Sequence, residues 1–429
     1  MGAYQTMSDS ELKERKQKLD LQYTEMKKKK LKLDMSRGRP AANQLDLTMD
    51  MLKYELIADR IANENGVDTR NYGGVDGLPA VKKIFSELLD IDPANIIAGG
   101  NSSLNIMYDI IARALIFGVP GGSKPWGQQG KIKFLCPSPG YDRHFAITEE
   151  FGIEMVNIEM KDDGPDMDMV ERLVSEDSSI KGIWCVPKYS NPTGITYSDE
   201  VVKRFAALKP KADDFRIFWD NAYCVHDLDE NGDKLLNLLA ECEKNGTEDM
   251  AYLFASTSKI SFAGSGVAIV AASKNNIEKM KKQLFMQTIG PDKINHLRHA
   301  AFFKDASGVK EHMKKHAAIV KPKFDIVEKT LYNELGGLEI GSWSNPKGGY
   351  FISFSALSGC AKRIVALCKE AGVVLTPAGA SYPYGIDPQD SNIRIAPTCP
   401  TVENLKQAAE LFCLCVKIAG VEKILSQRG

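Results

Sequence analysis

Seven short apolar runs, each separated from the next by polar or helix-periodic sequence, do most to limit the fold of this chain. They are 96–98, 132–135, 155–158, 183–186, 215–219, 251–255 and 267–271. Several intervening segments carry apolar residues at helical spacing, as in Leu104, Met107, Ile110, Ile111 and Leu115. Strands alternating with helices predict an α/β unit with a mostly parallel sheet covered on both faces. In open sheets of this kind ligands gather at the carboxyl edge of the strands. The residues just past each run are therefore where chemistry is expected.

Those residues form an ordered set. Gly99-Gly100-Asn101-Ser102-Ser103 follows the first run, and Asn191-Pro192-Thr193-Gly194 comes after the fourth. Asp220-Asn221-Ala222-Tyr223 follows the fifth, and Ser256-Thr257-Ser258-Lys259 the sixth. Far downstream stands Ser391-Asn392-Ile393-Arg394-Ile395-Ala396. A single Ser-Lys after a strand would be read as an ordinary surface charge. At a sheet edge, desolvation and neighbouring cations can lower a lysine pKa and make it an amine nucleophile. The whole set suits pyridoxal phosphate, whose aldehyde is stored as an imine on a lysine.

On that reading Lys259 carries the cofactor and moves the α-proton. Asp220 keeps the pyridine nitrogen protonated. Asn191 and Tyr223 donate to the ring oxygen. Arg394 offers a planar fork to the α-carboxylate of an amino acid. Ser102 and Ser103 stand before a helical segment, where free N–H groups make an anion site for the phosphate. An ordinary capped helix start is the competing reading there.

The pattern resembles the fold-type I aminotransferases, the aspartate aminotransferase superfamily. Ser36-Arg37-Gly38-Arg39-Pro40 and Arg70-Asn71-Tyr72-Gly73-Gly74 are similar to its bacterial type Ic branch. The likeness runs from about Ser36 to Pro400. It implies a large domain with a mainly parallel seven-stranded sheet plus a smaller α+β domain. It also implies transfer of an amino group from an L-amino acid, aspartate by nearest likeness, to a 2-oxo acid such as 2-oxoglutarate. Tyr141 matches the aromatic that stacks on the ring, Ser256 a phosphate ligand, and Tyr72 a tyrosine supplied by a second subunit, which implies a homodimer. Gly38 matches a glycine beside the substrate. One departure is plain: the arginine usual eight residues past the lysine is here Val267. A β-lyase or carbon–sulfur lyase on the same fold, or a regulatory domain without activity, are the alternatives.

A dicarboxylic substrate needs a second cation. Arg143, two residues after Tyr141, is the first candidate, with Arg37 and Arg39 behind it. Each is equally readable as a surface arginine.

A net charge of −1 gives no overall basic bias toward nucleic acid. No run approaches the roughly 20 apolar residues of a membrane helix, and the Lys- and Glu-rich start lacks a signal-peptide pattern. A cytoplasmic protein is expected. Nine cysteines without paired spacing fit a reducing compartment. The pairs His296/His299 and His312/His316 are expected on helix surfaces and not as a metal site, and no metal is expected. His144 and His226, three residues past Tyr141 and Tyr223, are expected either to line the pocket or to support it. The chain is expected to divide into an N-terminal helix and connector (1–50), a large cofactor-binding domain (51–320) and a small C-terminal domain (321–429).

Overall fold

The computed structural model describes every residue except Met1, Tyr54 and Leu56. A first strand, β1 (Leu33–Asp34), lies near the amino terminus. The main sheet then collects β2 (Ile96–Ala98), β3 (Lys133–Ser138), β4 (Glu154–Lys161), β5 (Gly164–Pro165), β6 (Ile180–Cys185), β7 (Arg216–Asp220), β8 (Ala251–Ser256) and β9 (Ala268–Ala272). Their order is β2-β9-β8-β7-β6-β3-β4-β5. The expected seven strands are present, and an eighth, β5, is a two-residue strand antiparallel to β4. It was invisible in the sequence because Gly164–Pro165 has no apolar run. The centre, β4-β3-β6-β7-β8, is parallel, and β9 runs antiparallel to both β8 and β2.

Continuous apolar strands make sense here because both faces are covered. Successive side chains of β7 alternate between two cores. Ile217 and Trp219 join Phe205, Leu238 and Val170 on one side. Phe218 joins Phe134, Trp184 and Phe254 on the other.

Six helices matter for the site: α1 (Asp9–Lys28), α2 (Ser103–Phe117), α3 (Asp142–Glu150), α4 (Lys293–Phe303), α5 (Ala306–Leu335) and α6 (Val402–Arg428). Helix α1 starts on a capping box in which Ser8 and Glu11 satisfy each other's backbone, and Lys27 and Lys28 sit at its negative end. A second, antiparallel sheet joins β10 (Gly341–Trp343), β11 (Ile352–Ala356) and β13 (Asn392–Ile395). The chain at β1 pairs in parallel with β12 (Val373–Val374), Leu33 opposite Val373. Leu12, Leu19 and Tyr23 of α1 share a core with Phe354, Leu411 and Phe412. Helix α5 runs from one core, at Val309 and Met313, to the other, at Val320 and Phe324. Residue 320 thus lies inside a continuous helix.

Two expectations need correction. The strand expected over 349–354 starts only at Ile352. Gly349 has φ +79°, and a side chain on Gly348 would collide with Tyr189, so the two glycines make a close turn first. The four helix histidines are also not on the surface. His296, His299, His312 and His316 are 1%, 2%, 5% and 2% exposed. Helix α4 turns His296 onto the Leu78 and Gly99 backbone and His299 onto Ser261, and α5 turns His312 onto the Ile260 carbonyl and His316 onto Gln44. All nine cysteines are free. Among the described residues no helix is long and apolar enough to cross a membrane.

Candidate active site

Asp220 ends β7, while Asn191 and Lys259 follow the carboxyl ends of β6 and β8; the three strands are parallel neighbours, so these residues converge on one edge. Asp220 is buried. Its Oδ2 accepts a hydrogen bond from His144 Nε2 at 3.0 Å, while Oδ1 has no partner. His144 is held by stacking on Trp184, with ring centroids 4.4 Å apart and planes 9° apart. Trp184 Nε1 donates to Thr148, whose hydroxyl donates to the His144 carbonyl, both at 2.8 Å. A buried carboxylate oxygen without a donor is costly unless a ligand supplies one.

Lys259 Nζ lies 4.8 Å from the centre of the buried Tyr223 ring. Burial lowers the ammonium pKa, and the Asp220 charge pulls the other way. Burial likewise pushes the Tyr223 phenol well up, helped by Tyr141 and Tyr350 nearby. Tyr350 donates to the Lys259 carbonyl at 3.4 Å. His226 is packed edge-on to Tyr223 and Tyr350, and neither of its ring nitrogens has a partner. Burial, then the Lys259 charge, hold this imidazole well below its usual pKa. Tyr141, at the start of α3, meets the His144 ring edge-on at 4.9 Å.

Ser102 precedes α2, and its side chain makes no cap hydrogen bond. Its hydroxyl is therefore not used as the ordinary cap the sequence also allowed. Ser258 Oγ donates to the Asn101 carbonyl at 3.2 Å, and Asn101 Nδ2 to the Gly264 carbonyl at 3.3 Å. The first bond draws the Gly99–Ser103 turn onto the Ser256–Lys259 turn, and the second ties it to Gly264. Ser256 Oγ and Ser258 Oγ lie 3.1 Å apart. Val267 is fully buried among Val81, Ile84, Phe85 and Phe303. It forms an apolar wall beneath the turn.

Arg394, on β13, reaches the same edge. Its Nη1 donates to Asn191 Oδ1 at 3.2 Å and to Asp142 Oδ1 at 2.8 Å, and its Nε to Thr376 Oγ1 at 3.3 Å. The guanidinium sits 4.9 Å from the centre of the Phe351 ring. Gly38 lies under that ring, where a Cβ would collide with it. Arg37, Arg39 and Arg143 are all exposed, and Tyr72 is 80% exposed on its loop. The chain by itself does not bring these four onto the Lys259 cluster through any hydrogen bond.

Asp142, Thr376, Phe351 and Tyr350 were not singled out from sequence. Only Asp142 had a usable signal, an acid between Tyr141 and Arg143. The set offers a neutralisable amine, a carboxylate needing a donor, hydroxyls at a helix start and a carboxylate-sized fork.

The family model for aspartate amino-transferase matches residues 7–428. An aspartate aminotransferase of Corynebacterium glutamicum is 43% identical over 412 residues, 96% of this chain and 92% of that protein. The crystal structure of an aspartate transaminase from that organism superposes with a TM-score of 0.94 at 41% identity, covering 99% of both chains. At 17% identity an α-aminoadipate aminotransferase from Thermus thermophilus, solved with N-(5'-phosphopyridoxyl)-L-leucine, shares the fold with a TM-score of 0.71 over 92% of this chain and 93% of that one.

Proposed function

The chain belongs to the aspartate aminotransferase family, whose members depend on pyridoxal phosphate, and on that premise we propose that this aminotransferase moves the amino group of L-aspartate to 2-oxoglutarate by a ping-pong mechanism. The observation that carries the site assignment is the pair formed by Lys259, an amine with lowered pKa, and Asp220, with one buried oxygen lacking a donor.

The chain's residues fit pyridoxal phosphate. Asp220 Oδ1 suits a protonated ring nitrogen, and the hydroxyls of Ser102, Ser103 and Ser256 with the start of α2 suit the phosphate. With Val267 apolar, hydroxyls, backbone amides and the helix end carry the neutralisation that an arginine would otherwise give. When bound, the cofactor supplies an aldehyde carbon and a cationic ring that accepts the electrons left by the departing α-proton. Lys259 anchors that carbon and, once released, holds the α-proton at Nζ. His144 keeps Asp220 oriented through its bond to Oδ2. Asn191 and Tyr223 donate to the ring oxygen, and Tyr141 covers one ring face. Arg394 orients the α-carboxylate and Gly38 leaves room beside it. Arg143, before Arg37 and Arg39, meets a distal carboxylate.

The chain divides near residues 50 and 320, acts in the cytoplasm, and pairs as a homodimer in which Tyr72 serves the neighbouring site. The exposure of Tyr72 supports the last point. Hybrids of Lys259→Ala and Tyr72→Phe subunits should regain activity above either parent; no regain counts against shared sites. The test of substrate is an absorbance scan of the pure holoenzyme with single amino acids, then with 2-oxo acids. Aspartate and glutamate should convert the cofactor, and 2-oxoglutarate should restore it. Conversion by neutral amino acids alone would sink the dicarboxylate assignment.

A further inference from the structure

A guanidinium has five N–H groups, and a carboxylate is held best by two parallel ones, from Nη1 and Nη2 or from Nε and Nη2. In Arg394 both Nη1 hydrogens are taken, one by Asp142 Oδ1 and one by Asn191 Oδ1. Nε is taken by Thr376. Nη2 has no acceptor among the described residues. Neither edge of the fork can therefore take a carboxylate in two-point fashion while all three partners stay. Asn191 and Thr376 are 4% and 5% exposed, and the Thr376 hydroxyl is itself fixed by donating to the Ser36 carbonyl at 2.8 Å. Asp142 differs. It occupies the first residue of α3, its side chain is 35% exposed, and water can receive it.

We propose that Asp142 is an internal stand-in for the substrate carboxylate: it occupies Arg394 between turnovers and is displaced when substrate binds. The inference rests on the reading of Arg394 as the α-carboxylate site. Arg394 is only 8% exposed, and a cation so placed is costly without a partner. Asp142 supplies that partner when the site is empty of substrate. It cannot stay beside an incoming carboxylate, because two like charges on one guanidinium repel. The exchange weakens the binding of every carboxylate substrate in both half-reactions and speeds product departure. A fixed brace for Arg394 would act in the opposite direction, since losing it would weaken binding.

The test uses holoenzyme of the wild type, Asp142→Asn, Asp142→Ala and Arg394→Leu. Binding of maleate, an unreactive dicarboxylate, is measured by calorimetry, with KM and kcat for aspartate and alanine and a thermal melt of each variant. Both Asp142 variants should bind maleate about ten-fold tighter, the scale of one hydrogen bond to a charged group. KM should fall for both amino acids by more than kcat changes. Arg394→Leu should lose maleate binding. If Arg394→Leu loses it while the Asp142 variants bind as well as the wild type or worse, the stand-in is overturned and the carboxylate site survives. If Arg394→Leu binds maleate normally, the carboxylate site falls and the inference falls with it.

Discussion

Two groups of buried polar side chains flank Lys259, and they are built by opposite rules. At the end of β7, Asp220 Oδ1 and Asn221 Oδ1 lack partners. Behind the Lys259 turn, His296, His299, His312 and His316 leave no buried ring nitrogen unpartnered. His296 bridges the Leu78 amide and the Gly99 carbonyl, at 3.3 and 2.8 Å. His299 joins the Asn295 carbonyl to Ser261, both at 2.8 Å. His316 receives Gln44 at 3.1 Å and meets His312 at 3.1 Å. Because Gln44 Oε1 accepts from the Ala41 amide, its Nε2 must donate, which leaves His316 Nδ1 as an acceptor and puts its proton on Nε2. Polar groups satisfied from within hold shape. An unsatisfied carboxylate oxygen at a strand end, as in Asp220, is where a ligand is expected to complete the protein.

The largest test of that contrast is Lys259→Ala. It should cost at least about 10⁴-fold in transamination, the upper range for a positioned acid–base group. Borohydride should then fix no cofactor to the chain. Peptide mapping that finds the cofactor on another lysine, such as Lys188, would break the assignment.

Asp220→Ala comes next. The cofactor should still bind, while turnover drops by about 10³-fold as the ring loses its proton partner. Near-normal turnover would move Asp220 into the structural group, and the contrast would lose its main case.

The histidines should act on stability and not on chemistry. Burial brings His299 and His316 down to a pKa of about 4 from 6.5. The native state resists protonation that the unfolded chain accepts below about pH 6.5. Stability is therefore full above that pH and falls as pH drops toward 4, by up to about 3 kcal/mol per histidine. Urea unfolding at stepped pH measures this, and His316→Gln should flatten the slope within that window. A variant whose slope matches the wild type would show that His316 is not among the groups that titrate on unfolding.

The smallest effect concerns the exposed arginines. Losing the one that serves a distal carboxylate should penalise aspartate and glutamate by about 1.5–3 kcal/mol in transition-state binding and leave alanine nearly unchanged. Arg143→Leu, Arg37→Leu and Arg39→Leu, compared on kcat/KM, decide among them. Equal losses for all substrates would remove all three.

The sequence carried the strand ends well, because a continuous apolar run followed by small or polar residues is a local signal. Asn191, Asp220 and Lys259 were legible for that reason, and they do share one edge. The His144–Asp220 bond, the Asp142–Arg394 pair and the Thr376 contact were not, since each joins segments far apart in sequence. The burial of the histidine faces is not legible in the sequence for a related reason. His at i and i+3 or i+4 on a helix looks the same whether that face meets water or, as at His316, the Gln44 amide, and only packing decides.

Gly38, Phe351 and Arg394 form a stack in which each layer sets the height of the next. The missing side chain at position 38 thus works as a spacer of zero thickness. Adding a methyl there would lift the Phe351 ring and tilt the guanidinium plane, carrying a change made in the amino-terminal connector to a fork 356 positions away in the chain. The connector therefore acts as a gauge for the proposed carboxylate site, and variation at its tip is expected to change which acids fit without touching Lys259.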